Sequence, residues 1–149
     1  MTQTVFITGA SSGIGLALAR EYAQQGAVVG LLGRRADVLE QVRASLPNAQ
    51  NHETYAVDVC VESDLHAAAR DFISKHGAPD IVIAAAGISA GTWTEYYEDL
   101  AQIRRIFETN VLAMASTFHP FIAPMKARGQ GTLVGIASVA GIRGLVGSE

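Results

Sequence analysis

Apolar residues recur along this chain in two alternating rhythms. Short apolar runs stand at residues 5–7, 27–32, 80–85 and 132–137, with a weaker one at 53–57. Between them, apolar residues fall about four apart on otherwise polar stretches, the spacing of a helix with one buried face. The first strand is predicted over 3–8 and the first helix over 13–25, with Ile14, Leu18 and Tyr22 as its sheet-facing stripe. Gly26 stops that helix. The run 27–32 is apolar almost throughout, so it is predicted as a strand covered on both faces. A turn at Gly33-Arg34-Arg35 leads to a helix over 37–46, with Val38, Val42 and Leu46 inward and Pro47-Asn48 as its stop.

The rhythm then repeats. A strand is predicted over 53–57 and a helix over 62–76, with Leu65, Ala69, Phe72 and Ile73 inward and Gly77 and Pro79 as breakers. Residues 80–85 form a fourth strand that turns at Ala86-Gly87. Residues 88–101 read as loop with a short helical stretch. A long helix covers 102–118, with an extension past Pro120 towards Ala127 left open, and Gly129 and Gly131 end it. The fifth strand is predicted over 132–137, and 138–149 is a Gly-rich loop. Strands and helices that alternate at this spacing require right-handed crossovers, hence a parallel sheet with helices on both faces.

Length and composition narrow the classes. A chain of 149 residues fits one domain, 1–149. It can bury roughly 70% of its unfolded surface without a covalent staple. Hydrophobic residues make up 49% and charged residues 17%, and the net charge is −3. No basic field is present to attract nucleic acid or an acidic membrane face. No run approaches the ~20 apolar residues of a spanning helix, and the N-terminus lacks a leader pattern. The expectation is therefore a cytoplasmic protein without membrane or nucleic-acid partners. Cys60 is the only cysteine, which excludes an internal disulfide and reads first as a small buried hydrophobe. The four histidines (52, 66, 76 and 119) show no ligand spacing, so no metal site is expected.

Candidate chemistry begins at Thr8-Gly9-Ala10-Ser11-Ser12-Gly13-Ile14-Gly15. A strand, a glycine-rich turn and a helix in succession aim a helix N-terminus at a phosphate. Gly9 permits the turn, Gly13 removes a side chain where backbone meets a pyrophosphate, and Gly15 lets helix pack on strand. The spacing T-G-x-x-x-G-x-G resembles the nucleotide turn of the short-chain dehydrogenases/reductases. The resemblance implies a Rossmann-like, doubly wound α/β fold of about five parallel strands in the order 3-2-1-4-5. It makes Thr8, Gly9, Ser11, Ser12, Gly13, Ile14 and Gly15 cofactor-binding residues.

Further positions extend the resemblance. Arg34 and Arg35 follow the second strand, where the family recognises the adenosine ribose. Two guanidiniums there suit a 2′-phosphate, which implies NADP(H) over NAD(H); a solvated basic turn is the plain reading of the same pair. Asp58-Val59 matches the family's adenine contact, although an Asp at that place alone reads as a helix cap. Ala84-Ala85-Ala86-Gly87 stands where the family has N-N-A-G. Ala85, Ala86 and Gly87 keep backbone contacts to the cofactor, and both asparagines are missing. Asn110, in Glu108-Thr109-Asn110-Val111, matches the asparagine of the family's proton relay; a mid-helix Asn otherwise bonds its own backbone. Ser138, in Ile136-Ala-Ser-Val-Ala-Gly141, matches the catalytic serine, and a lone Ser at a strand end is otherwise a turn former. Trp93, Tyr96 and Tyr97 fall where substrate-facing loops lie, and ordinary packing explains them equally.

The resemblance stops at the acid/base. The family's tyrosine follows its serine in Y-x-x-x-K, a position that falls just past Glu149. None of Tyr22, Tyr55, Tyr96 and Tyr97 opens that motif, and Lys75 and Lys126 stand outside it. Against the family pattern the chain reads as C-terminally truncated, without the last strands and the substrate loop. The fifth strand would then be an open edge. The apolar positions Ile103, Ile106, Phe107, Val111, Met114 and Phe118 exceed what one face of a solvated helix needs. Self-association into a homo-oligomer is the expected consequence.

Three functions compete. The first is an NADP(H)-dependent oxidoreductase acting on a small carbonyl/alcohol pair by hydride transfer, with this chain alone lacking its proton donor and so inactive. The second is a non-catalytic nucleotide-binding remnant that self-associates. The third, a Rossmann-like domain of another class such as a methyltransferase, has no need of Thr8, Asn110 or Ser138.

Overall fold

The computed structural model describes residues 2–93 and 95–143; the stretch 144–149, expected as loop, lies outside the described residues. Five strands form one sheet: β1 (Thr4–Thr8), β2 (Val28–Gly33), β3 (Glu53–Ala56), β4 (Ile81–Ala84) and β5 (Thr132–Gly135). All pairings are parallel and the order is β3-β2-β1-β4-β5, as the resemblance implied. The helices are α1 (Gly13–Gln24), α2 (Ala36–Ser45), α3 (Glu62–His76), α4 (Asp99–Phe107) and α5 (Ala113–Arg128). A π-helical turn, Glu108–Leu112, joins α4 to α5.

Strand alternation sends side chains to two separate cores. Val5, Ile7, Val29, Leu31 and Ile83 pack on one face with Ala19 and Ala23 of α1 and Leu39 and Val42 of α2. Phe6, Leu32 and Val82 pack on the other with Leu65, Ala69 and Phe72 of α3 and Phe121 and Met125 of α5. Phe6 is the hub of this second core, with ring centroids 5.4 Å from Phe72 and 4.9 Å from Phe121. Gly30, beside Phe6 in register, makes room for that cluster: a Cβ there would stand 2.8 Å from carbons of both Phe6 and Phe72.

Beyond one-residue shifts at several element ends, three features differ from expectation. The buried face of α1 is Gly15, Ala19 and Ala23, not the Ile14-Leu18-Tyr22 stripe. Leu18 and Tyr22 only flank the core, and Ile14 is 59% exposed. Small residues let α1 lie close on the sheet, and the larger apolar residues beside them are displaced to its flanks. The long helix begins at Asp99, before the expected Gln102, and continues past Pro120 and Pro124 to Arg128. The residues at its π-turn junctions keep right-handed helical dihedrals, so it runs on through the turn. The fifth strand ends at Gly135, two residues early.

Among the described residues β5 pairs only with β4, so no described strand covers its far edge. Of the surplus apolar positions on the long helix, Phe107 and Val111 are exposed, and Leu112 joins them. Ile103, Ile106, Met114 and Phe118 are half-buried. No helix among the described residues is long and apolar enough to cross a membrane.

Candidate cofactor site

A cavity of about 490 Å³ opens at the carboxyl ends of the strands. Its floor is the turn after β1. Gly9 has φ +69°, and a Cβ there would stand 2.8 Å from the Cα and N of Ala86. A Cβ on Gly15 would collide with the Gly9 carbonyl. These two glycines let the turn fold onto itself and onto the turn after β4. Gly13 differs: its φ is +54° and its missing side chain leaves open space. Thr8 is buried beneath the turn, where its Oγ1 accepts from the Ala86 N–H at 3.3 Å.

The N-terminus of α1 faces this cavity without an internal cap. Ser12 is extended and its side chain makes no capping bond, and the first turn carries no acidic residue. The first helical bond runs from Leu16 N to Ser12 O at 3.2 Å. The N–H groups of Gly13, Ile14 and Gly15 therefore have no intrahelical acceptor and carry the positive end of the helix dipole. Such a terminus suits a phosphate.

Two more walls enclose the cavity. Arg34 and Arg35 are exposed at its rim after β2, and Arg35 Nη2 lies 3.4 Å from Ser11 Oγ. Asp58 and Val59 lie beyond β3. The helix cap of α3 is Val61, so Asp58 does not cap it; its Oδ1 accepts from the Cys60 N–H at 2.9 Å in a tight turn. Ser11, Ser12, Gly13, Ile14 and Gly15 line the cavity with Gly9, and so do Ala85, Ala86 and Gly87.

The two residues expected to be catalytic do not line the cavity. Asn110 sits in the π-helical turn, where Oδ1 accepts from Ile88 N–H at 2.9 Å and Nδ2 donates to Ile88 O at 2.8 Å. It clamps the segment after β4 rather than bonding its own helix. Ser138 is exposed at the start of a short turn, and its Oγ accepts from Ala140 N–H at 3.2 Å. That geometry is the turn former's.

Several lining residues escaped the motif reading. Gly33, Val57, Cys60 and Ile88 adjoin predicted positions. Arg105, Glu108 and Thr109 come from the long helix, one turn apart on one face. Cys60 is exposed, not buried as expected, with Sγ 3.4 Å from Thr109 Oγ1. Trp93, Tyr96 and Tyr97 are exposed. Tyr55 is engaged away from the cavity. Burial first, then the bond it donates to Asp71 Oδ2 at 2.8 Å and the Asp71 charge, raise its phenol far above the usual range. No group of metal-ligating side chains forms among the described residues.

A parallel sheet of this order, with a glycine turn and an uncapped helix N-terminus at its carboxyl edge, defines a doubly wound nucleotide-binding fold. The family model described as short chain dehydrogenase matches residues 3–148. The chain belongs to the short-chain dehydrogenase/reductase family. It is 33% identical over 139 residues to the NADPH-dependent pterin aldehyde reductase of Arabidopsis thaliana, which covers 91% of this chain and 56% of that one. It is 36% identical over 146 residues to the ketoacyl reductase HetN of Nostoc sp., covering 96% and 50%. Among solved structures, the L-sorbose reductase of Gluconobacter frateurii, complexed with NADPH and L-sorbose, superposes with a TM-score of 0.87 at 29% identity, covering 99% and 56%. The chain spans about half the length of the curated relatives it matches.

Proposed function

We propose that the cavity takes NADP(H) and that the chain is the cofactor half of an oxidoreductase acting on a carbonyl/alcohol pair. One observation carries this reading: the uncapped N-terminus of α1, the open position at Gly13 and the Arg34–Arg35 pair all face one cavity. The donor set fits the cofactor part by part. The N–H groups at Gly13, Ile14 and Gly15 receive the pyrophosphate, and the guanidiniums receive the 2′-phosphate. Asp58 accepts from the adenine amine, and the Val59 N–H meets a ring nitrogen. Thr8, Ser11 and Ser12 brace the turn, and Ala85, Ala86 and Gly87 offer backbone along the cofactor. The names of the pterin aldehyde and sorbose reductases point to the same cofactor.

When bound, the nicotinamide supplies hydride to a carbonyl or takes it from an alcohol. Ser138 holds the reacting oxygen by donating its Oγ–H, while Oγ still accepts from the Ala140 N–H. Asn110, with its amide bound to Ile88, fixes the segment after β4 beside the cofactor. Delivery of a proton needs an acid that none of the described tyrosines supplies. These 149 residues therefore bind cofactor without turning over, and they self-associate through the exposed apolar face of the long helix. The test is the selectivity between NADPH and NADH. Replacing both Arg34 and Arg35 by Ala weakens NADPH at least tenfold and leaves NADH within about twofold. Equal loss for both cofactors would refute the 2′-phosphate role.

A further inference from the structure

The wall contributed by the long helix has no place in the motif reading, and its geometry is specific. Arg105 and Thr109 are four residues apart, so their side chains project from one helix face. Thr109 Oγ1 touches Cys60 Sγ at 3.4 Å, which sets that face against the loop carrying Asp58 and Val59. The next residue, Asn110, is tied to Ile88 at 2.8 and 2.9 Å. The helix is thus pinned twice at this level, and Arg105 stands one turn above, lining the same cavity. Among the described residues its guanidinium has no hydrogen-bond or ion-pair partner, although Glu108 lies three residues on and lines the cavity too.

We infer that Arg105 is an adenine-stacking residue, laying its guanidinium plane against the base whose edge Asp58 and Val59 hold. This rests on the nucleotide reading of the cavity and adds to it a wall from α4. A planar, weakly hydrated guanidinium gains from a ring face what a compact ammonium gains less well. The ligand class is any adenine nucleotide, whether or not it carries a 2′-phosphate, which separates Arg105 from Arg34 and Arg35.

The experiment measures the affinity of the chain for NADPH, NADH and 5′-AMP, in low salt and at high ionic strength, with Arg105→Ala and Arg105→Lys. A thermal melt checks that each variant folds. Arg105→Ala weakens all three ligands by the same factor, about three- to tenfold, and the loss persists at high salt, where exposed charges are screened. Arg105→Lys recovers less than half of it. A loss confined to NADPH, a loss that salt abolishes, or no loss overturns the assignment. Wild-type chain that binds none of the three ligands overturns the nucleotide reading itself.

Discussion

His66 Nε2 lies 3.2 Å from the carbonyl oxygen of Ser116. That carbonyl is the one left without a helical partner by Pro120, which has no N–H to donate four residues on. A carbonyl only accepts, so His66 carries its proton on Nε2. The imidazole of α3 thereby repairs the break that proline makes in α5, and the His119 ring stacks on it at 5.5 Å. His66→Ala should cost about 1–2 kcal/mol, the cost of an unmade bond to a half-buried carbonyl. In a Pro120→Ala background, residue 120 supplies its own N–H and the cost of His66→Ala should shrink. A double-mutant cycle by urea denaturation measures this; an unchanged cost in both backgrounds would contradict the repair.

The fold was legible because apolar spacing fixes strands and helices when both faces of a sheet are covered. The helix over 62–76 came out residue for residue, since its breakers Gly77 and Pro79 are unambiguous. The long helix was harder. Pro120 and Pro124 look like stops, yet tertiary bonds such as that of His66 carry the helix through them. The stripe on α1 was misplaced because periodicity ranks Ile14 and Leu18 above Gly15 and Ala19, whereas close packing prefers the small residues.

Legibility of the site followed the same division. Motif residues on consecutive stretches (the glycine turn, Arg34–Arg35 and Asp58–Val59) were predicted as one site, and they line one cavity. Arg105 and Glu108 were not predicted, because no motif marks a helix face. Ser138 and Asn110 were read as catalytic positions, and in the fold neither lines the cavity: Ser138 is engaged in a turn and Asn110 clamps Ile88.

Acid should loosen the β3–α3 contact. Burial pushes the Glu53 carboxyl up, but hydrogen bonds from Lys75 and His76 outweigh it and hold it below its usual value. Asp71 is held low by hydrogen bonds from Lys75 and then Tyr55. Carboxyls lowered in the folded state stabilise above their unfolded pKa, near 4, and lose that stabilisation as pH falls through the lower folded value. Thermal midpoints measured from pH 7 downward should therefore decline below about pH 4. Lys75→Ala should flatten this decline. An identical acid limb in that variant would show that the cluster contributes nothing.

Exposed apolar groups on one helix predict association. Phe107, Val111 and Leu112 lie on the long helix, and no described strand pairs with the far edge of β5. Light scattering at micromolar concentration should report dimers or larger species, and Val111→Glu with Phe107→Glu should shift the chain towards monomer. A monodisperse monomer from the unmodified chain would contradict the expectation.

The central claim is that the cavity above Gly13 holds NADP(H). The direct measurement is a fluorescence titration of NADPH with the purified chain. The account predicts a saturable enhancement of nicotinamide emission that 2′,5′-ADP competes away and that Gly13→Val abolishes in a still-folded chain. No change in NADPH emission, and no competition at any protein concentration reached, would contradict it.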